Sequence, residues 1–433
     1  MSDLKEGPPL TPEPVTEAAA SSAELAVAPE LVANSLGEYL RAWAARIRAG
    51  DSGILPVIVG LIVIAVIFQT QNSNFLTAGN LVNLLVQGAA ITLLGLGEVF
   101  ALLLGEIDLS IGFVAGVAGV IAAELVAFPH NWPWYAAVGF ALVVTAVIGL
   151  VQGSIITRLG LPSFVVTLAG LLGFQGVMLM MVGQGGTVPI ASDVINDFAN
   201  GNMTVGAGWV LTALLIVGYA GLTWWRDQRR RASGLVAPPV SLTVLKIAAV
   251  AVAGVALVLI CNANRGLLVP IRGVPWVVLI VLGVLAAWSV LLGRTRFGRY
   301  VYAIGGNAEA ARRAGVNLAR IRTTAFILCS LTAGIAGIVY ASRLRSVSTN
   351  LDGGTLVLYA VAAAVIGGTS LFGGRGRPLH AVLGGVVIAA IANGMGLLGM
   401  AAATQLIVTA LVLLAAVTID AVARRGRTAG GTR

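Results

Sequence analysis

Glu106 and Asp108 stand two residues apart in the run 105–112 (GEIDLSIG), between two long apolar stretches. An ionised carboxylate at membrane depth is expensive, so these groups must face a polar cavity, pair with arginine or emerge at a surface. In a cavity they would work at a gate or along a translocation path. At a surface, Asp108 and Ser110 would cap the helix that starts near Ile111. Both readings fit the residue types. A second stretch, 365–378 (VIGGTSLFGGRGRP), sets Thr369 and Ser370 among five glycines. Broken backbone of this kind is tolerated in a bilayer only where it lines a cavity or is buried in protein. One break in each half is the pattern of inverted-repeat transporters, although the two halves share little sequence. A third stretch, 160–171 (GLPSFVVTLAGL), places Ser163 and Thr167 on a helix opened by Pro162, a position that structure alone explains. With Asn393, these polar side chains are the candidates for the gate and path.

Other chemistry is excluded. The only lysines are Lys5 and Lys246, and neither follows a glycine, so no Walker A loop exists and any ATP chemistry belongs to a partner. No Gly-x-Ser-x-Gly elbow is present. His130 and His380 lack a second ligand at metal spacing, and Cys261 and Cys329 read as inert small hydrophobes. Neither a catalytic role nor a metal or other cofactor is expected.

The most unusual stretch runs from Arg294 to Arg322 (RTRFGRYVYAIGGNAEAARRAGVNLARIR). Its middle reads as a short capped helix over 308–314. Asn307 is the N-cap, Glu309 meets the positive end of the dipole, and Gly315 is the stop. Such a helix is too polar to span a membrane and too short to stand alone. It reads as a docking element through which a membrane channel receives force from a separate motor.

The elements that must carry these groups are membrane spans. The 433 residues are 58% hydrophobic and only 10% charged, which implies an all-α polytopic membrane protein. Apolar runs fall at 54–68, 81–104, 111–128, 134–156, 164–182, 205–225, 242–261, 274–292, 323–341, 357–372, 379–398 and 405–422, giving about twelve spans. With that count, the arginines of 41–48, 158, 226–231, 294–322, 375–377 and 424–427 share one side with both termini. Only Arg265, Arg272, Arg343 and Arg345 fall on the other. By the positive-inside rule, the first side is cytoplasmic. The net charge of +9 therefore points to anionic lipid and not to nucleic acid. Residues 1–35 form a Pro- and Glu-rich disordered tail, and 36–50 an amphipathic helix in the membrane surface. Residues 51–423 form the transmembrane domain, and 424–433 a basic tail. Glycines inside the spans, as in 333–337, 384–385 and 112–119, serve either close helix packing or hinges.

Together, 80–85 (NLVNLL), 105–112, 161–171, 299–317 (RYVYAIGGNAEAARRAGVN), 364–371 (AVIGGTSL) and 393–395 (NGM) resemble the permease subunits of bacterial ATP-binding-cassette sugar importers, in their xylose-type form. The resemblance covers about 54–422. It implies a homodimer in the bacterial inner membrane, with ATPase subunits docked on the cytoplasmic side and a periplasmic or extracellular sugar-binding protein on the other. It also implies a path for a monosaccharide, D-xylose or a related pentose. Arg299, Gly305, Gly306, Asn307, Glu309, Ala310, Ala311, Arg312 and Gly315 match the family's ATPase-coupling loop. Ribose-type members resemble a ten-span core, to which 205–225 and 242–261 add a pair. The long head and the arginines of 373–378 (GGRGRP) depart from the family pattern. The rival reading is an ion- or proton-coupled secondary transporter with Glu106 and Asp108 as relay.

Overall fold

The computed structural model describes residues 37–39, 41, 44–45, 55–235, 237–266 and 268–430. The head 1–35 and most of the amphipathic segment lie outside the described residues, although 37–39, 41 and 44–45 are helical. The chain runs through α1 (Leu55–Gln71), α2 (Ala78–Leu103), α3 (Ile111–Val126), α4 (Trp134–Leu159) and α5 (Ser163–Val182). Strand β1 (Thr187–Pro189) and α6 (Asp193–Asn200) precede α7 (Val205–Ala232), α8 (Val240–Asn262) and α9 (Trp276–Arg294). Two short helices, α10 (Arg296–Gly306) and α11 (Ala308–Arg313), lead into α12 (Leu318–Leu344). Strand β2 (Ser346–Ser348), α13 (Gly353–Ile366), α14 (Pro378–Leu397) and α15 (Ala402–Gly430) complete it.

Among the described residues, eight helices, namely α2, α4, α5, α7, α8, α9, α12 and α14, are long and apolar enough to cross a membrane; α1, α3, α13 and the first half of α15 are shorter apolar helices. Each predicted apolar run thus falls on a helix of its own, in an all-α polytopic membrane protein. The run 357–372 is not helical throughout: α13 stops at Ile366, and Gly368 takes a positive φ of 106°. Four elements have no counterpart among the sequence-based expectations, namely β1, β2, α6 and α10.

The chain divides into two compact units, a smaller one containing 216–251 and a larger one within 50–215 and 252–433. In the larger unit α12 packs against α2, α3 and α4. Its core includes Leu93, Leu96 and Phe100 of α2, Val114 of α3, Cys329 and Ala336 of α12, and Ala360 and Ala364 of α13. Backbones approach closely enough that a Cβ at Gly337 would sit 1.9 Å from Ala115 O, and one at Gly384 1.8 Å from Ala363 O. At these two positions glycine is required for packing, with no room for a side chain.

The two ends of this unit differ. At one, β1 pairs antiparallel with β2 in the register Thr187↔Ser348, Val188↔Val347 and Pro189↔Ser346. There α6 docks on the end of α12, with Ser342 Oγ accepting from Ala199 N and donating to Asn196 O, both at 3.0 Å. The Arg265 loop belongs to the same end. Arg265 Nη1 donates to Cys261 O (2.9 Å) and Nη2 to Asn202 Oδ1 (2.9 Å), so this arginine is spent on tying loops together. Along α9, 19 residues or about 28 Å away, lies the other end, with α10, α11 and the start of α12. Arg158 belongs there, since its neighbour Thr157 meets Thr323 at 3.2 Å.

Candidate functional site

Three side-chain caps build the 294–322 element. Thr295 accepts from Gly298 N (3.2 Å) to start α10, Asn307 from Ala310 N (2.9 Å) to start α11, and Asn317 from Arg320 N (2.9 Å) to start α12. Asn307 also ends α10, its own N–H donating to Ala303 O at 3.0 Å. The exit of α11 is a Schellman motif. Gly315, at φ +82°, donates to Arg312 O and Val316 to Ala311 O, both at 3.0 Å. Every turn of the element is therefore fixed by local hydrogen bonds.

Its surface is equally well defined. Arg299, Gly306, Asn307, Glu309, Ala310, Arg312 and Gly315 are exposed, Gly305 is half-buried, and Ala311 alone of the predicted coupling residues is buried. Glu309 bridges Arg312 (2.6 Å) and Arg313 (3.1 Å), and these hydrogen bonds, Arg312 first, hold its carboxyl below the usual range. Beneath them Gly298, Val301 and Ile304 turn inward, which makes α10 an amphipathic helix lying on the bundle end.

The element is joined to the bundle through backbone. A Cβ at Gly305 would lie 1.8 Å from Leu103 O and 2.5 Å from Gly374 N, and Gly374 N itself donates to Leu103 O at 2.9 Å. Gly373 and Gly374 take positive φ of 85° and 73° to fit beside Gly305 and Gly306. Tyr302 adds a hydrogen bond from its hydroxyl to Gly376 O at 2.8 Å. The two broken segments, 105–112 and 365–378, thus meet each other and α10 at one end of the bundle.

Behind this seam is a buried polar cluster. Asp108 Oδ1 accepts from Ser110 N (2.9 Å) and Ser110 Oγ (2.6 Å), and Asp108 N donates to Glu98 Oε1 (3.1 Å). Gln152 Nε2 donates to Ser110 Oγ (2.9 Å), and Cys329 Sγ lies 3.6 Å from Asp108 Oδ2. Asp108, Ser110 and Glu98 are fully buried. Thr167, also buried, donates to Ser163 O at 2.9 Å and to Ile107 O at 3.3 Å, so α5 is held against the same loop.

Residues 80–417 match the protein family described as branched-chain amino acid transport system / permease component. The chain belongs to that permease family. Over 377 residues it is 35% identical to the xylose transport system permease protein XylH of Escherichia coli (strain K12), covering 86% of this chain and 92% of XylH. It is 31% identical to the ribose import permease protein RbsC of the same organism, covering 84% and 92%. It is 28% identical to the D-allose transport system permease protein AlsC, also from that strain, covering 83% and 88%. No solved structure matches.

Other candidate residues of this permease lie apart from the cluster. Asn393 is near the far end of α14, where its Oδ1 accepts from Asn80 Nδ2 (2.8 Å) and its Nδ2 donates to Gln87 Oε1 (3.3 Å). Thr369 and Ser370 are buried in the loop after α13, with Ser370 N donating to Arg375 O at 2.8 Å. Glu98 and Gln152 were not singled out in the sequence, though each is a polar residue within an apolar helix, the signal that could have found them. Cys329 and Cys261 are both free and buried. Among the described residues no group of three His, Cys, Asp or Glu could hold a metal.

Glu106 pairs with Arg322 at 3.1 Å, in a charge contact whose Arg Nε–H is not aligned as a hydrogen bond. The pair ties the α2–α3 loop to the second turn of α12. A double-mutant cycle of Glu106→Gln and Arg322→Gln, read by thermal unfolding in detergent, should give a coupling of about 1 kcal/mol, because Arg322 keeps partial contact with solvent. A coupling near zero would remove the pair from the seam.

Proposed function

We propose that this permease is the membrane-spanning subunit of an ATP-binding-cassette importer for a monosaccharide, D-xylose or a related pentose. It works in the bacterial inner membrane as a dimer, with a separate ATPase and an extracytoplasmic sugar-binding protein. The observation that carries the reading is the exposed, three-times capped 294–322 element, seated by backbone contact on two bundle loops. A chain with no nucleotide-binding loop of its own has use for such a rigid foot only if something outside pushes it. The foot lies at the opposite end of α9 from the Arg265 loop and carries exposed Arg294, Arg296, Arg299, Arg312, Arg313 and Arg320, which under the positive-inside rule supports a cytoplasmic foot and cytoplasmic termini. ATP-driven closure of the motor would then bias inward- and outward-open states through α10 and α12. The kinship with XylH favours a pentose; RbsC and AlsC are the reason to test others.

The test is reconstitution in vesicles with an ATP-binding-cassette ATPase and a sugar-binding protein, each also left out in turn, followed by a panel of labelled sugars. Uptake of xylose that requires ATP and both partners is expected. Uptake by this chain alone, driven by an ion gradient, would overturn the reading. The relay it would need finds Glu106 already paired with Arg322, and Asp108 bonded to Ser110.

A further inference from the structure

The smaller unit presents a surface that includes neither the 294–322 foot nor the buried polar cluster. α7 has 28 residues, about 42 Å, against a hydrocarbon thickness of about 30 Å, so its last turns extend beyond the hydrocarbon. Those turns read WWRDQRRR, residues 224–231. Trp224 and Trp225 are 43% and 52% exposed, and Arg226, Arg229 and Arg230 are exposed with them. The guanidinium of Arg229 lies 4.3 Å above the Trp225 ring. The one acid in the run, Asp227, is turned inward, where its Oδ2 accepts from Thr243 Oγ1 of α8 at 2.5 Å. Arg231 is tied down by its bond to Pro238 O at 2.8 Å. The hairpin contact also sets a level. Three residues further from the turn on each helix, Trp224 of α7 and exposed Lys246 of α8, the second of the chain's two lysines, fall at about the same level.

The result is two tiers, tryptophan with a lysine below and three exposed arginines above, with no exposed acid within 224–231. Aromatic rings at the headgroup level, a long cation reaching up from slightly deeper and guanidinium forks outside match an anionic phospholipid from its glycerol region to its phosphate. A solvated charged face would need no exposed indoles.

We propose that the α7–α8 hairpin is a binding site for anionic phospholipid headgroups of the cytoplasmic leaflet. Full-length protein would be reconstituted in nanodiscs of equal phosphatidylcholine and phosphatidylglycerol, then released into mild detergent, and the retained lipid counted by native mass spectrometry. Wild type should retain phosphatidylglycerol in preference. Combined Arg226→Gln, Arg229→Gln and Arg230→Gln should lower that preference at least about tenfold. The same charge removed from the foot, by Arg299→Gln, Arg312→Gln and Arg313→Gln, should leave it intact. Trp225→Ala, which takes away the ring under Arg229, should lower it by a smaller factor. Equal loss from the hairpin and foot variants would mean unlocalised charge attraction, and an unchanged hairpin variant would mean that a protein or solvent covers this face. Either result overturns the site.

Discussion

Gly305→Leu is expected to abolish sugar uptake, whereas Gly306→Leu, one residue on, should yield a folded protein in which ATP hydrolysis no longer drives uptake. The contrast comes from what each side chain would meet. At position 305 a Cβ would fall 1.8 Å from Leu103 O and 2.5 Å from Gly374 N, both backbone atoms that cannot swing aside. Overpacking costs about 1–3 kcal/mol even where side chains can shift, and prising the segments apart would add loss of the Leu103–Gly374 hydrogen bond, about 1 kcal/mol. The foot would then detach from α2 and from the 365–378 loop. At position 306 a Cβ meets nothing within 4 Å, so leucine there projects from the exposed surface and disturbs only what docks against it. Thermal unfolding, ATPase rate and uptake in the reconstituted complex separate the two. A Gly305→Leu protein with normal uptake would show that the seam transmits nothing. A Gly306→Leu protein with normal coupling would place the motor elsewhere.

This division was half visible in the sequence. The cap at Asn307 and the stop at Gly315 were legible because they are local, needing only residues within a few positions. The apolar helices were legible for the same reason, each being a continuous hydrophobic run. α10 was hidden by its arginines, although Phe297, Val301 and Ile304 do recur at helical spacing beneath them. β1 and β2 could not be read at all. Three-residue strands carry no period, and their partners are separated by the whole stretch from Pro189 to Ser346. The meeting of 105–112 with 365–378 was likewise closed to inspection, since each segment shows only that its backbone is broken and not where the break is buried. Asn80 and Asn393 are 313 positions apart, and only the fold brings their side chains within 2.8 Å.

Asp108 decides between a structural cluster and a proton relay. Asp108→Asn keeps an acceptor oxygen for the Ser110 N–H and hydroxyl, so uptake with ATPase and binding protein present should stay close to wild type. A relay carboxylate could not survive that change, because an amide does not take up and release a proton in this range. Asp108→Ala should behave differently from both expectations of a relay. It strips the acceptor from the Ser110 N–H in a fully buried site, and leaving such a donor unmet costs about 1–3 kcal/mol. The start of α3, which the Asp108–Ser110 turn fixes, should loosen with it. The expected pattern is a clear fall in melting temperature for alanine, little change for asparagine, and uptake that follows folded protein in both. If asparagine instead eliminated uptake at an unchanged melting temperature, the carboxylate itself would be part of the transport step, and a passive conduit driven only from its foot would no longer describe this permease.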